Sequence, residues 1–247
     1  MKTFPKTDTG LQRKINEDYF FASDTPIGNL PNLNIVADGM GGHKAGEYAS
    51  RYTVECVVAS ILRNKKDEPV TILKEAIDVA NKLLLEESRN DNSKRGMGTT
   101  LVIATVVGHK MFVANVGDSR LYVINKKITQ ITRDHSLVEE MVRNGKVGIK
   151  DAKHHPDKNV ITRAVGVVDK LEADFFEVEL DENDTVLLCS DGLTNMVDDE
   201  DIKNIICSRK KGVEQVTTLI KMANQNGGKD NITAIIIRPF SDEVKEC

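Results

Sequence analysis

Cysteine is scarce in this sequence. Its four residues, Cys56, Cys189, Cys207 and Cys247, lie far apart in 247 and never form a CxxC pair. That argues against a zinc site and a disulfide framework, leaves a single bridge open, and suits a reduced, cytoplasmic chain. An excess of positive charge is missing too. At a net −4 the chain lacks the basic footprint that nucleic-acid backbones require, so no nucleic-acid partner is expected. No apolar run approaches the roughly 18 residues of a membrane span, so no membrane insertion is expected. The opening Met1–Asp8 has no apolar stretch behind its lysines, which predicts no signal peptide. Repeats, low-complexity tracts and Pro/Gly/Ser linkers are absent. With 40% hydrophobic residues there is ample material for a core, and one domain over 1–247, with a monomer as the default, is the expectation.

Several phosphate-handling motifs are missing as well. There is no GxxxxGK[ST] and no GxGxxG after a strand, so nucleotide-binding folds are unsupported. No cysteine is followed six residues later by arginine, no Asp-x-Asp-x-Thr follows an apolar strand, and no histidine-rich metallophosphatase signature occurs.

What is present is a set of short β-branched runs. Leu33–Ala37 ends at Asp38-Gly39. Thr99–Val107 and Met111–Val116 are separated by Gly108-His109-Lys110 as by a hairpin turn, and Arg120–Ile124 follows. Thr185–Cys189 ends at Ser190-Asp191-Gly192, and Ile232–Ile237 follows Asp230-Asn231 and stops before Pro239. Helical spacing connects these runs. Ile72, Leu73, Ala76, Ile77, Ala80, Leu83 and Leu84 share one face. Ala45–Leu62, Asp199–Ser208 and Val213–Asn226 also read as helices, the last with an Asn-Gly-Gly stop. Hairpins in the middle with paired helices on either side do not make βαβ units. The pattern predicts an α+β fold: two antiparallel sheets packed as a central sandwich, flanked by pairs of helices.

The chemistry follows from the acidic residues. Glu17-Asp18 precedes Tyr19-Phe20-Phe21, Asp38 terminates a strand before Gly39-Met40-Gly41-Gly42, and Asp118 sits between two strands. Asp191 ends another strand and Asp230 begins the last. Each alone is ordinary turn chemistry. Together, carboxylates at converging strand ends repel one another, and a hard divalent cation removes that repulsion. Oxygen ligands without cysteine suit Mg²⁺ or Mn²⁺.

With these residues in view, the chain closely resembles the metal-dependent protein phosphatases of the protein phosphatase 2C type, especially compact bacterial members. The matching blocks, in order, are Arg13-x-x-Asn16-Glu17-Asp18, Ala37-Asp38-Gly39-Met40-Gly41-Gly42-His43, Gly96-Met97-Gly98-Thr99-Thr100 and Val116-Gly117-Asp118-Ser119-Arg120. Asp134-His135-Ser136, Ser190-Asp191-Gly192-Leu193 and Lys229-Asp230-Asn231-Ile232-Thr233 follow. The segment 144–168, with His155-Pro156 and Asn159–Gly166, resembles that family's flap near the active site.

The resemblance implies hydrolysis of phosphoserine and phosphothreonine on proteins, opposing a cognate Ser/Thr kinase, with two or three Mn²⁺ or Mg²⁺ ions. By position, Asp38 would bridge the first two metals and the Gly39 carbonyl would complete the second site. Asp191 and Asp230 would be the remaining ligands of the first. Glu17 would serve the second metal, with Asp18 in support, and Asp118 with Asp191 would form a third site. Arg13 would grip the substrate phosphate, acting catalytically with Asp38, Asp191 and Asp230. Two metals roughly 3.5–4 Å apart lower the pKa of a bridging water enough to give hydroxide near neutral pH. Metals and Arg13 would balance the phosphoryl charge.

One departure concerns the general acid. Animal members carry a histidine where this chain has Met40, which cannot protonate a leaving group. A metal-bound water comes first as a substitute and His43 is the side-chain candidate, although its place before Lys44-Ala45-Gly46 also suits a helix start. In the flap, Val147-Gly148 and Lys158 replace more typical residues, and His154-His155 resembles a metal pair only superficially. The competing reading is a catalytically silent regulatory module on the same fold, binding metal or phosphoprotein. The intact acidic set weighs against it.

Overall fold

The computed structural model describes residues 1–42, 45–152 and 155–240. The chain begins with strands β1 (Lys2–Asp8), β2 (Asp18–Ser23) and β3 (Leu33–Met40), then helices α1 (Ala45–Arg63) and α2 (Pro69–Asn90). A run of strands follows: β4 (Gly98–Thr99), β5 (Leu101–Val107), β6 (Lys110–Val116), β7 (Arg120–Ile124) and β8 (Ile128–Gln130). After the short α3 (Leu137–Arg143) and α4 (Ile149–Ala152) come β9 (Asp174–Glu179) and β10 (Thr185–Cys189). The chain closes with α5 (Asp191–Thr194), α6 (Asp199–Ile206), α7 (Gly212–Gln225) and β11 (Ile232–Arg238).

The strands form two antiparallel sheets, as the pattern predicts. One runs β1-β11-β10-β7-β8, the other β2-β3-β5-β6-β9, with β4 paired onto β3. Side chains alternate faces along a strand, and the burial shows where each face goes. Val36, Val102, Ala104, Val113, Leu121, Val186, Leu188, Ile235 and Ile237 fill the seam between the sheets. Their neighbours Leu33, Ile35, Leu101 and Ile103 face α1 and α2, and Leu187, Cys189, Ala234 and Ile236 face α6 and α7. Each such large side chain contributes roughly 1.5–3 kcal/mol by leaving water. No face of the central strands meets solvent, hence their nearly unbroken apolar sequence.

Helix α2 exceeds its apolar core at both ends. Glu68 caps it, accepting hydrogen bonds from the Val70 and Thr71 amides, and Pro69 opens the first turn where its missing N–H costs nothing. Among the described residues no helix is long and apolar enough to cross a membrane.

Several expectations need correction. The hairpin turn is only Gly108-His109, since Lys110 already pairs with Val107. The expected strand from Thr99 breaks at Thr100, where the chain leaves the β3–β4 pairing for β5. The helix that was expected over Asp199–Ser208 stops at Ile206. Strands β1, β2, β8 and β9 were not anticipated; they carry the more polar, partly exposed sequences at or next to the sheet edges.

Candidate active site

The acidic residues gather at one end of the sandwich, and strand register accounts for the first two. Asp18 opens β2 directly opposite Asp38 on β3. Asp38 shares its face with Val36, two residues earlier, and Val36 lies in the seam. Like charges directly opposite on neighbouring strands are destabilising, so this pair is costly unless something else compensates. Asp18 reaches across to the other sheet, where its Oδ2 accepts hydrogen bonds from Ser190 Oγ and Thr233 Oγ1, both at 2.7 Å.

The backbone of Asp38 is pinned by two threonines. Its N–H donates to Thr100 Oγ1 at 2.9 Å, while its carbonyl accepts from the Thr100 N–H and the Thr99 hydroxyl, each at 2.9 Å. Thr100 Oγ1 also lies 2.8 Å from Ser119 Oγ, tying β3 to the loop that bears Asp118. The next residue, Gly39, donates its N–H to the Glu17 carbonyl at 3.0 Å. Close approach requires glycine here: a Cβ on Gly39 would fall 2.0 Å from the Gly46 carbonyl oxygen, and one on Gly46 would fall 2.3 Å from Glu17 Oε1. The Glu17 carboxylate thus rests against the first turn of α1, and that helix end favours negative charge.

Asp191 and Asp230 come from the opposite sheet. Both correct the expected placement, because β10 ends two residues before Asp191 and β11 starts two residues after Asp230. Asp191 opens α5, and its Oδ2 accepts from Asn195 Nδ2 at 2.8 Å. Asn195 Oδ1 in turn accepts from Lys158 Nζ at 3.0 Å, which links the 144–168 segment to the acidic end. That segment also forms a two-way bridge between Val165 and Thr99, beside Asp38. Asp230 Oδ1 accepts from the Asn231 N–H at 2.9 Å and its Oδ2 from Arg13 Nη2 at 2.8 Å.

Asp118 lies between β6 and β7, as expected, and is 8% exposed. Gly117 before it has φ 101°, a conformation that other residues adopt at a cost. The Gly117 N–H donates to His135 Nδ1 at 3.1 Å, and Gly117 O accepts from the His135 N–H at 2.9 Å. With Nδ1 accepting, the ring proton sits on Nε2, which faces Asp174 Oδ2 at 3.3 Å.

Electrostatically the group is strained. Burial pushes Asp18 up to about 7, despite the Ser190 and Thr233 hydroxyls. Burial and then Asp191 push Asp118 up to about 8. Asp191 rises to about 6 through burial and the charge of Asp230, with Arg120 pulling it back. Asp38 rises well above the ordinary range, first from loss of hydration and then from Asp18, Asp191, Asp118 and Asp230, all acidic. Glu17 is also raised, by burial, against the pull of Arg13.

The candidate positions fit a cation in two respects. Glu17 Oε1 and Asp18 Oδ1 are buried oxygens with no hydrogen-bond partner, and the whole donor set is oxygen, the choice of hard divalent ions. Among the described residues, however, no three carboxylate, imidazole or thiolate groups close into a ready cation cage. The carboxylates act on one another as neighbouring charges. His43, Cys247 and His154 lie outside the described residues. His155 Nδ1 accepts the Asp157 N–H within its own turn.

Residues that composition did not single out carry much of the positioning. Asn231 Oδ1 accepts the Glu17 N–H at 2.8 Å, while its Nδ2 donates to the carbonyls of Thr9 and Ile15. One side chain thereby holds the loop that presents Arg13 and Glu17. Thr99, Thr100, Ser119, Ser190 and Thr233 act similarly. In the sequence Ser119, Ser190 and Asn231 adjoin an aspartate, whereas Thr99 and Thr100 show only as part of the Gly96–Thr100 block.

The description "Protein phosphatase 2C" belongs to the family model that matches residues 12–235. A serine/threonine phosphatase stp of Listeria welshimeri is 41% identical over 239 residues, covering 94% of this chain and 93% of that one. The protein phosphatase PhpP of Streptococcus pneumoniae is 36% identical, with 94% of each covered. Among solved structures, serine/threonine phosphatase Stp1 from Staphylococcus aureus superposes with a TM-score of 0.89 at 36% identity, over 95% of this chain and 93% of that one. The catalytic domain of the phosphatase PstP, solved in complex with two manganese ions, gives 0.84 at 30% identity, over 95% and 96%.

Proposed function

Because the chain belongs to the protein phosphatase 2C family, we propose that the acidic end of its sandwich is the catalytic centre of a metal-dependent protein serine/threonine phosphatase. The observation that carries this is the meeting of Asp18, Asp38, Asp118, Asp191 and Asp230 from both sheets, with orphaned oxygens on Glu17 and Asp18. Asp38, Asp191 and Asp230 would hold one divalent ion, and Asp38, the Gly39 carbonyl and Glu17 a second. Asp118 with Asp191 would offer a third, weaker place. Mn²⁺ and Mg²⁺ suit these oxygens. When bound, the ions supply the Lewis acidity that makes water nucleophilic near neutral pH.

The chain's own groups then have distinct tasks. Asp18 is held by Ser190 and Thr233 with one oxygen left over, and sets the field beside Asp38. Arg13, exposed at the rim, carries the guanidinium fork that would take two oxygens of a phosphoryl group. Segment 144–168 acts as a flap over this end, joined to Asp191 through Lys158 and Asn195. Residues 1–247 form one catalytic domain, acting as a cytoplasmic monomer on phosphorylated proteins and opposing a Ser/Thr kinase. A silent regulatory module is disfavoured, since every acidic position stands in place.

The test is phosphate release from a phosphothreonine peptide with Mn²⁺, Mg²⁺ or EDTA. Release with metal, abolished by EDTA and by Asp38→Asn or Asp191→Asn, is the expected result. Full turnover in either variant would refute the metal assignment.

A further inference from the structure

Among the described residues, Arg13 is the one cation in direct contact with the acidic residues assigned above as metal ligands. Its Nη2 lies 2.8 Å from Asp230 Oδ2 and its Nη1 4.0 Å from Glu17 Oε2. The guanidinium thus spans two carboxylates assigned to different ions. Both Asp230 oxygens are engaged: Oδ1 accepts the Asn231 N–H, and Oδ2 accepts Arg13. Arg13 itself is 47% exposed along its side chain and has solvent to move into.

We propose that Arg13 and a divalent cation compete for the Asp230 carboxylate, so that the arginine is free to grip a phosphate only once the cation has displaced it. This rests on the metal-site reading above. The physical argument compares two energies. An exposed ion pair such as Arg13–Asp230 is weak. A divalent ion on the same carboxylate would sit a few ångströms from the guanidinium, and the repulsion between the two exceeds what that pair returns. The cation therefore wins the carboxylate and the arginine swings out. Cation binding and phosphate binding become linked through a single side chain. The metal-free chain keeps its acidic cluster partly neutralised, and its phosphate clamp is occupied.

Calorimetric titration of the full chain with Mn²⁺ provides the first test, comparing wild type with Arg13→Gln. The variant is expected to bind Mn²⁺ roughly two- to fivefold more tightly, the factor set by losing an exposed ion pair from the competing state. The second readout is the Arg13 Nε–H signal in nitrogen-15 NMR of the wild type during a Mg²⁺ titration, assigned by its disappearance in Arg13→Gln. It is expected to move toward the position of a solvent-exposed arginine in step with Mg²⁺ saturation. Equal or weaker Mn²⁺ affinity in the variant, or an Arg13 signal that stays put while Mg²⁺ saturates, would overturn the competition and leave the metal site standing. A wild type that takes up no Mn²⁺ would instead remove the metal-site reading, and the inference with it.

Discussion

Replacing Asp18 by asparagine should make the metal-free protein more stable, although it removes a carboxylate with two good hydrogen bonds. An acid that titrates higher in the folded chain than in the unfolded one contributes stability at low pH and loses it as pH climbs through its folded value. For Asp18 that window runs from the ordinary 3.8 to about 7. The difference, about three pH units at about 1.4 kcal/mol each, means the ionised carboxylate costs the fold about 4 kcal/mol near pH 8. Asparagine removes the charge and keeps an oxygen for Ser190 and Thr233. It also points an amide N–H₂ at a buried place where Oδ1 has no partner, which returns about 2 kcal/mol of the gain. A net gain of about 2 kcal/mol corresponds to a rise in Tm of about 4–8 °C for a chain of this length. The assay is thermal unfolding in EDTA at about pH 8 and about pH 5, repeated with Mn²⁺. The gain should vanish at the lower pH, where wild-type Asp18 is protonated, and should shrink or reverse with Mn²⁺. A lower Tm for Asp18→Asn in EDTA at the higher pH, or a difference indifferent to pH, would refute the reasoning.

Three further changes test other parts of the structure. Gly46→Ala places a methyl where Glu17 Oε1 now sits and 3.0 Å from the Gly39 carbonyl oxygen; forcing the carboxylate aside should lower thermal stability by about 1–3 kcal/mol, and the Mn²⁺ needed for half-maximal activity increases. Arg120→Met leaves Asp134 without its two-pronged partner and with only Gln130 donating to it, and should cost about 1–2 kcal/mol in urea unfolding, because the carboxylate of a part-buried pair is left without its cation. Asn34→Val replaces a fully buried amide neither of whose polar atoms has a partner. It should raise the urea midpoint by about 1 kcal/mol of stability, and a lower midpoint would show that the amide is satisfied in solution.

The central strands were legible because a strand packed on both faces has no polar positions to confuse the pattern, as in Leu101–Val107 and Ile232–Arg238. Strand β1 was not, since Lys2, Pro5 and Lys6 mask an edge strand held mainly by its ladder to β11. The site divides in the same way. The acidic residues stood out by type and by their glycine neighbours. The side chains that aim them, Asn231, Thr100 and Asn195, act through backbone groups distant in sequence, such as the Glu17 N–H, and only register brings those together. Helix α5 was hidden for a related reason: Ser190-Asp191-Gly192 reads as a turn, and at this length a turn and a helix start share the same composition.

The pairing of β1 with β11 has a consequence for anything attached to this chain. The ladder runs from Asp8 opposite Ile232, next to the acidic end, to Lys2 opposite Arg238 at the far end. Both ends of the described chain therefore lie side by side at the end away from the acidic residues. A tag, tether or second domain fused there would stand behind the acidic end and leave it open. A short linker joining the two ends, with new termini cut into the exposed connection between α1 and α2, should give a circular permutant whose acidic face is built as before.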